Sequence, residues 1–188
     1  EAYELVLTLE PGHKAALDAL ATLRATAGDP ESALDAIEAL AEAAKTPKER
    51  AEQYQRAALL LEQQGDLEAS ISQLKRAIDA YPDDGAARGK LKSKYVVMGN
   101  FGGVAELLEE ELDNAKGDHQ RSKLAGQIAV LCQTKLQDNE RASSMAQLAF
   151  HLDPTEPGAL RVLGKIAYDD GRFVEAADLF EQVPADDK

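Results

Sequence analysis

Five helix-stop signals at near-constant spacing constrain this chain more than any other feature. Gly28-Asp29, Gly65-Asp66, Gly99-Asn100, Gln137-Asp138 and Gly171-Arg172 follow one another at steps of 37, 34, 38 and 34 residues. Each pair reads as a residue in the left-handed conformation that closes one helix, followed by a side chain that caps the next. Gln137 lacks the glycine and Arg172 lacks the capping side chain, so these two are weaker copies. A slower marker runs alongside. Pro11, Pro82 and Pro154 are 71 and 72 residues apart, each closing an apolar, helix-forming run. Self-similarity at such a period belongs to stacked supersecondary units.

Between the markers the apolar spacing is helical. Phe173, Ala176, Ala177, Phe180 and Val183 form one stripe, and Phe101, Val104, Leu108 and Leu112 form another. The pattern predicts a helix over 1–10, then pairs at 12–27 and 30–45, 47–64 and 67–80, 84–98 and 101–115, 118–136 and 139–152, and 156–170 and 173–183. Such short connections make consecutive helices antiparallel neighbours. The two longer steps exceed the shorter ones by about one helical turn. That turn falls in the first helices "RAEQYQRAALLLEQQ" from Arg50 and "RSKLAGQIAVLCQTKL" from Arg121, as if a two-repeat unit had been duplicated. The longest helices are therefore expected near 47–64 and 118–136.

Composition agrees. Hydrophobic residues make up 44% of 188, tryptophan is absent, and the β-branched runs of strands are missing. A net charge of −13 repels phosphate backbones, which argues against nucleic acid or an anionic membrane as partner. No apolar stretch is long enough to span a bilayer. With Cys132 as the one cysteine, neither an internal disulfide nor a zinc site built on paired cysteines is available.

The residues at these positions resemble the tetratricopeptide repeat (TPR) family. In the last repeat the signature falls on Leu163, Gly164, Tyr168, Gly171, Phe173, Ala176 and Phe180; in the third on Leu91, Tyr95, Gly99, Phe101 and Leu108. The second keeps Gly65, Leu67, Ala77 and Pro82, and the first Leu20, Ala21, Gly28, Ala33 and Ile37. The fourth keeps Ala129, Ala142, Ala149 and Pro154. The resemblance implies an all-α, right-handed solenoid of tandem antiparallel helix pairs, whose small residues (Ala21, Ala58, Ala129, Gly164) allow close helix approach. It places one array over 1–188. Residues 1–11 would be the second helix of a truncated repeat, followed by repeats at 12–46, 47–83, 84–116, 117–154 and 155–188.

A search for chemistry returns little. His13, His119 and His151 fall near predicted helix ends without a ligand partner and read as surface or capping residues. Cys132 aligns with Leu61 on the core face and reads as a buried, inert thiol. The acidic groups Asp83-Asp84, Glu109-Glu110-Glu111, Asp169-Asp170 and Asp186-Asp187 lack calcium-loop spacing and read as solvated helix ends and faces. Gly102-Gly103 lacks the lysine and strand of a phosphate loop and reads as a loose turn. No metal, cofactor or catalytic residue is expected, and the chain is not read as an enzyme.

The resemblance implies a concave groove lined mainly by first helices, which the family uses to hold peptides or partner domains. The candidate partner-binding residues are Arg56, Lys90, Ser93, Gln127, Arg161, Lys165 and Tyr168, with Gln55 and Gly89 beside them. Several are basic in an acidic chain, so the expected partner is a protein or peptide with an acidic or carboxylate-bearing segment. Arg161 and Lys165 share a helix face. The competing possibility is that Lys165 pairs with Asp169, four residues on, and Arg161 with a neighbouring repeat. Some relatives clamp a terminal carboxylate with lysines and asparagines, but Thr22 and Leu59 stand here where the asparagines would be useful. The leading expectation is a protein-interaction scaffold. Its rival is a regulatory or substrate-presenting segment of a larger enzyme, and a third reading, RNA binding by a pentatricopeptide-like array, conflicts with the charge. Apolar residues at both ends, Tyr3, Val6 and Leu7 among them, also raise the expectation of end-to-end self-association.

Overall fold

The computed structural model of the chain describes residues 2–184, and among these it is helical with no strand. The acidic pair Asp186-Asp187 lies outside the described residues. By Cα packing the chain divides into two compact units, Glu1–Lys94 and Tyr95–Lys188. The first holds α1 (Ala2–Leu9), α2 (Lys14–Thr26), α3 (Pro30–Glu42), α4 (Pro47–Gln63), α5 (Leu67–Ala80) and most of α6 (Gly85–Val97). The second holds the end of α6, then α7 (Phe101–Asn114), α8 (Asp118–Leu131), α9 (Asn139–Leu152), α10 (Pro157–Asp169) and α11 (Phe173–Glu181).

The stop signals work as local chemistry requires. Gly28, Gly65, Gly99 and Gly171 all have φ between 69° and 82°, the left-handed region open to glycine. Asp29, Asp66, Asn100 and Asp138 then accept side-chain bonds from the backbone N–H three residues on, at 3.1, 2.9, 2.9 and 3.0 Å. Arg172 makes no such cap. Each stop is sealed by a backbone bond reaching back five residues: Asp29 to Arg24, Asp66 to Leu61, Asn100 to Tyr95 and Arg172 to Ala167.

The fourth stop differs in an informative way. Asp138 N–H reaches back six residues to Cys132 O, because α8 does not run to the turn as an α-helix. Cys132–Leu136 form a π-turn, and Gln137 takes φ 55° in place of a glycine. The expected single helix over 118–136 is thus an α-helix of 14 residues extended by a π-turn of 5, whereas its counterpart α4 is α-helical over 17. The one residue by which the 38-residue step exceeds the 37-residue step is absorbed here, since a π-turn takes an inserted residue without breaking the helix.

Packing follows the apolar stripes. In the first unit α2 packs on α3, α3 on α4 and α4 on α5. Leu20, Ala21, Ala33, Ile37, Ala57 and Leu60 form a continuous core, with Leu7 and Leu34 against it. Ser70 Oγ, fully buried on α5, donates to Ala58 O of α4 at 2.8 Å, so no polar group is stranded by that burial. In the second unit α7 packs on α8, α8 on α9, α9 on α10 and α10 on α11, while α8 also touches α10. Ile128, Leu160, Val162 and Cys132 are fully buried there. Ser122 repeats the serine device, donating to Ala149 O at 3.0 Å.

Gly102-Gly103 is a correction to the sequence reading. These residues are the first turn of α7, not a loose turn. A Cβ on Gly103 would lie 2.7 Å from Tyr95 Cε2, so the buried tyrosine ring occupies the space a side chain would take.

Candidate functional site

Each unit holds a cavity between neighbouring first helices. In the first unit a cavity of about 240 Å³ lies among α4, α5 and α6. Its apolar floor is Ala58, Leu59 and Leu74, and its rim carries Gln55, Lys90 and Lys94. Leu59 is half exposed, at the groove-facing position where some relatives carry an asparagine. Lys90 Nζ donates to Gln55 Oε1 at 2.7 Å, and Gln55 in turn donates to Asp84. Lys94 pairs with Glu62. The helix supplying these lysines, α6, carries Arg88, Lys90, Lys92 and Lys94 and no acidic residue. Ser93 also lines the cavity, its hydroxyl donating to Gly89 O at 3.0 Å.

In the second unit a cavity of about 300 Å³ opens over Val104 and Leu108 of α7, between α8 and α10, with Gln127 and Arg161 at its edge. A second depression of about 400 Å³ adjoins it, lined by His119, Lys123, Gln127, Asp153, Thr155 and Arg161. The two meet at Glu156. This carboxylate is almost wholly buried, and its Oε2 accepts from Ala159 N–H at 2.6 Å, capping α10. It lies over Gly126, where a Cβ would come within 2.0 Å of Oε2. A Cβ on Gly158 would lie 2.8 Å from Gly126 O, so α8 and α10 approach backbone to backbone.

The candidate residues are distributed over these surfaces and not gathered at one point. Arg56 forms an ion pair with Asp18 of α2 at 2.5 Å and donates to Thr22 Oγ1 at 3.0 Å, which ties two first helices together. Lys90 and Ser93 share the first cavity; Gln127 and Arg161 share the second. Lys165 pairs with Asp169 and lies 5.8 Å from the Tyr168 ring centre. Tyr168, half exposed, packs edge-on against Phe173 at 5.4 Å.

Several titratable groups elsewhere have structural roles. His13 caps α2, its Nδ1 accepting from Ala16 N–H at 3.2 Å. His119 is exposed, 3.7 Å from Asp153. Thr155 donates to Asp153 from both hydroxyl and backbone and holds that carboxyl below its ordinary value, with His119 a smaller influence. Burial pushes the Cys132 thiol up, which suits an inert side chain. Among the described residues no group of three His, Cys, Asp or Glu side chains is placed to hold a metal, and no helix is long and apolar enough to cross a membrane.

Paired helices, glycine stops and first-helix cavities are accompanied by a direct family match. The tetratricopeptide repeat model matches residues 19–85 and 135–188. This chain belongs to the tetratricopeptide repeat family. Members of that family serve in general as protein-interaction scaffolds. The TPR chain is similar in fold to MamA, with TM-score 0.53 and 15% identity, covering 87% of this chain and 92% of that one. It is also similar to nearly identical TPR-like repeats from Podosopora anserina, with TM-score 0.52 and 16% identity over 93% and 94% of the two chains. A chain in the structure of Naa15/Naa10 bound to HypK-THB gives TM-score 0.65 and 16% identity, covering 96% of this chain and 28% of that one. No curated protein matches the sequence.

Within the TPR frame, the sequence reading missed Lys94, Lys123, Glu156 and the Gly126–Gly158 contact. Gly126 did carry a signal. A glycine in a helix interior costs about 1 kcal/mol relative to alanine, so its presence in "LAGQIAV" calls for a packing reason.

Proposed function

We propose that this TPR chain holds a segment of a partner protein in the cavities between its first helices, seating an apolar side chain and an adjacent carboxylate. In the first unit the apolar group rests on Ala58, Leu59 and Leu74, and the carboxylate meets Lys90. In the second, Gln127 and Arg161 flank the corresponding position over Leu108. Lys165, already paired with Asp169, is the weakest of the candidates for this role.

The observation that carries the reading is the composition of the first cavity. It combines a half-exposed leucine with a lysine whose nearest acceptor is a neutral amide, on a helix with four cations and no acid. In a chain of net charge −13 such a helix is a local exception, and it favours an acidic ligand over a basic one. The arrangement needs no catalytic group.

The test is site-specific photo-crosslinking from positions 59 and 127, with Glu68 on α5 as control, followed by affinity measurement on the crosslinked segment of the partner. Leu59→Asp and Lys90→Glu are each expected to weaken binding at least tenfold, the loss typical of a central interface residue. Helicity should not change, because both side chains are exposed. Arg161→Glu with Lys165→Glu tests the second unit in the same way. Full affinity in all three variants, or crosslinks confined to position 68, overturns the proposal.

A further inference from the structure

The π-turn that follows α8 brings two side chains to the second cavity. Thr134 and Lys135 line it together with Gln127, Val130 and Leu131 of α8, so the cavity follows that helix from its middle to its end. Residues inserted into a helix in this way frequently sit at functional sites.

The two side chains differ in what they have left to offer. Thr134 turns its hydroxyl back on its own helix, donating to Val130 O at 2.7 Å. Lys135 is exposed, with its ammonium 5.3 Å from the centre of the Phe101 ring. Among the described residues it meets no carboxylate, although the chain carries 34 acidic residues. Asp138 and Glu109, both near Cys132 of the same turn, are engaged elsewhere: Asp138 accepts from Arg141 N–H, and Glu109 pairs with the Arg141 guanidinium. Glu156, the one acid lining the cavity, caps α10. An ammonium resting on an aromatic ring keeps its charge and its donors, and both are open to an anion from outside.

Spacing defines that anion. Gln127 and Arg161, which the cavity shares with the adjoining depression, mark one end, and Lys135 marks the other. Gln127 and Lys135 lie eight residues apart, about 12 Å at the helical rise. An extended peptide covers that length in about four residues, and its residues i, i+2 and i+4 face the same way.

We propose that Lys135, positioned by the Phe101 ring, makes a second anion contact in this cavity, and that the segment held there is an extended peptide with an acid, an apolar residue and a second acid at i, i+2 and i+4. One acid meets Arg161, the apolar side chain lies on Val104, Leu108 and Val130, and the other acid meets Lys135. The proposal rests on the reading that a partner segment occupies the second cavity, and it adds the chemistry of that segment.

The experiment uses the whole chain carrying Leu59→Asp, which removes the first cavity from the measurement. Three labelled peptides in a glycine-serine background are titrated by fluorescence anisotropy at low salt. The first holds Glu, Leu and Glu at i, i+2 and i+4. The second has serine in place of the last glutamate, and the third moves that glutamate to i+3, where it faces the other way. The first is expected to bind about fivefold tighter than the other two, the upper range for an exposed ion pair, and to lose that gain at high salt. Lys135→Gln should erase the gain and leave affinity for the second peptide unchanged. Phe101→Leu should reduce the gain to about twofold, and Phe101→Tyr, which keeps a ring, should preserve it. Arg161→Gln should weaken all three peptides alike, with circular dichroism verifying the fold of each variant. Equal affinity for the first and second peptides, or a gain that survives Lys135→Gln, overturns the Lys135 contact and leaves the occupied cavity standing. No saturable binding of any peptide, or no effect of Arg161→Gln, overturns the cavity reading and this proposal with it.

Discussion

At the scale of the residue, the contact of Gly126, Gly158 and Glu156 makes the sharpest predictions. Gly158→Ala drives a methyl group into the Gly126 carbonyl, which belongs to helical backbone and cannot swing aside. A loss of about 1–3 kcal/mol in urea unfolding is expected, the range for overpacking. Gly126→Ala meets only the end of a side chain, so Glu156 can leave at the cost of its bond to Ala159. The lost cap costs about 1 kcal/mol, and alanine regains about 1 kcal/mol over glycine inside α8, so the net stability of this variant should change little. The cap loss should not add to that of Glu156→Ala, because both remove the same cap. Full additivity would show that the carboxylate does not yield. Gln137→Gly runs the other way. Gln137 is the one non-glycine residue at positive φ among those described, and relieving that conformation should stabilise the chain by about 1 kcal/mol.

At the scale of the element, the caps turn helix ends into acid-sensitive parts. The Ser32 hydroxyl and backbone N–H hold the Asp29 carboxyl below its ordinary value, and Thr155 does the same for Asp153. A carboxyl with a lower value folded than unfolded contributes stability that is complete above its unfolded value, near 3.8. That contribution is lost as pH falls through the folded value. Denaturant midpoints are therefore expected to hold between pH 7 and about 5 and to fall below about pH 4. Asp29→Asn keeps a cap acceptor and removes its share of the acid loss, so the variant's profile should be flatter below pH 4. An unchanged profile would show that Asp29 does not contribute to it.

At the scale of the molecule, stability in a repeat chain is expected to be a sum of neighbouring contacts. Ile128→Ala, at a fully buried position of α8, should cost about 2–5 kcal/mol locally. Hydrogen exchange should quicken in α8, α9 and α10 while amides of α2, α3 and α4 keep most of their protection. Uniform loss across the chain would mean that it unfolds as one cooperative body.

The helix pairs, their order and nearly every turn were legible in the sequence because their causes are local. A glycine followed by Asp or Asn stops one helix and starts another within a few residues, whatever the rest of the chain does. The one-residue excess of the fourth repeat was visible as a number, but its form as a π-turn was not, since α and π continuation differ only in which carbonyl is reached. The candidate site was legible as a face and not as a set of contacts. Helical spacing put Arg56, Lys90 and Arg161 on first helices, and Lys165 opposite Asp169 at i+4. Tertiary structure alone decided that Arg56 is held by Asp18, 38 residues away, that Lys90 faces a neutral amide on α4, and that a buried glutamate fills the notch over Gly126. Those outcomes depend on how closely helices distant in sequence approach, and that distance is set by the packing of whole side-chain layers, which no local pattern contains.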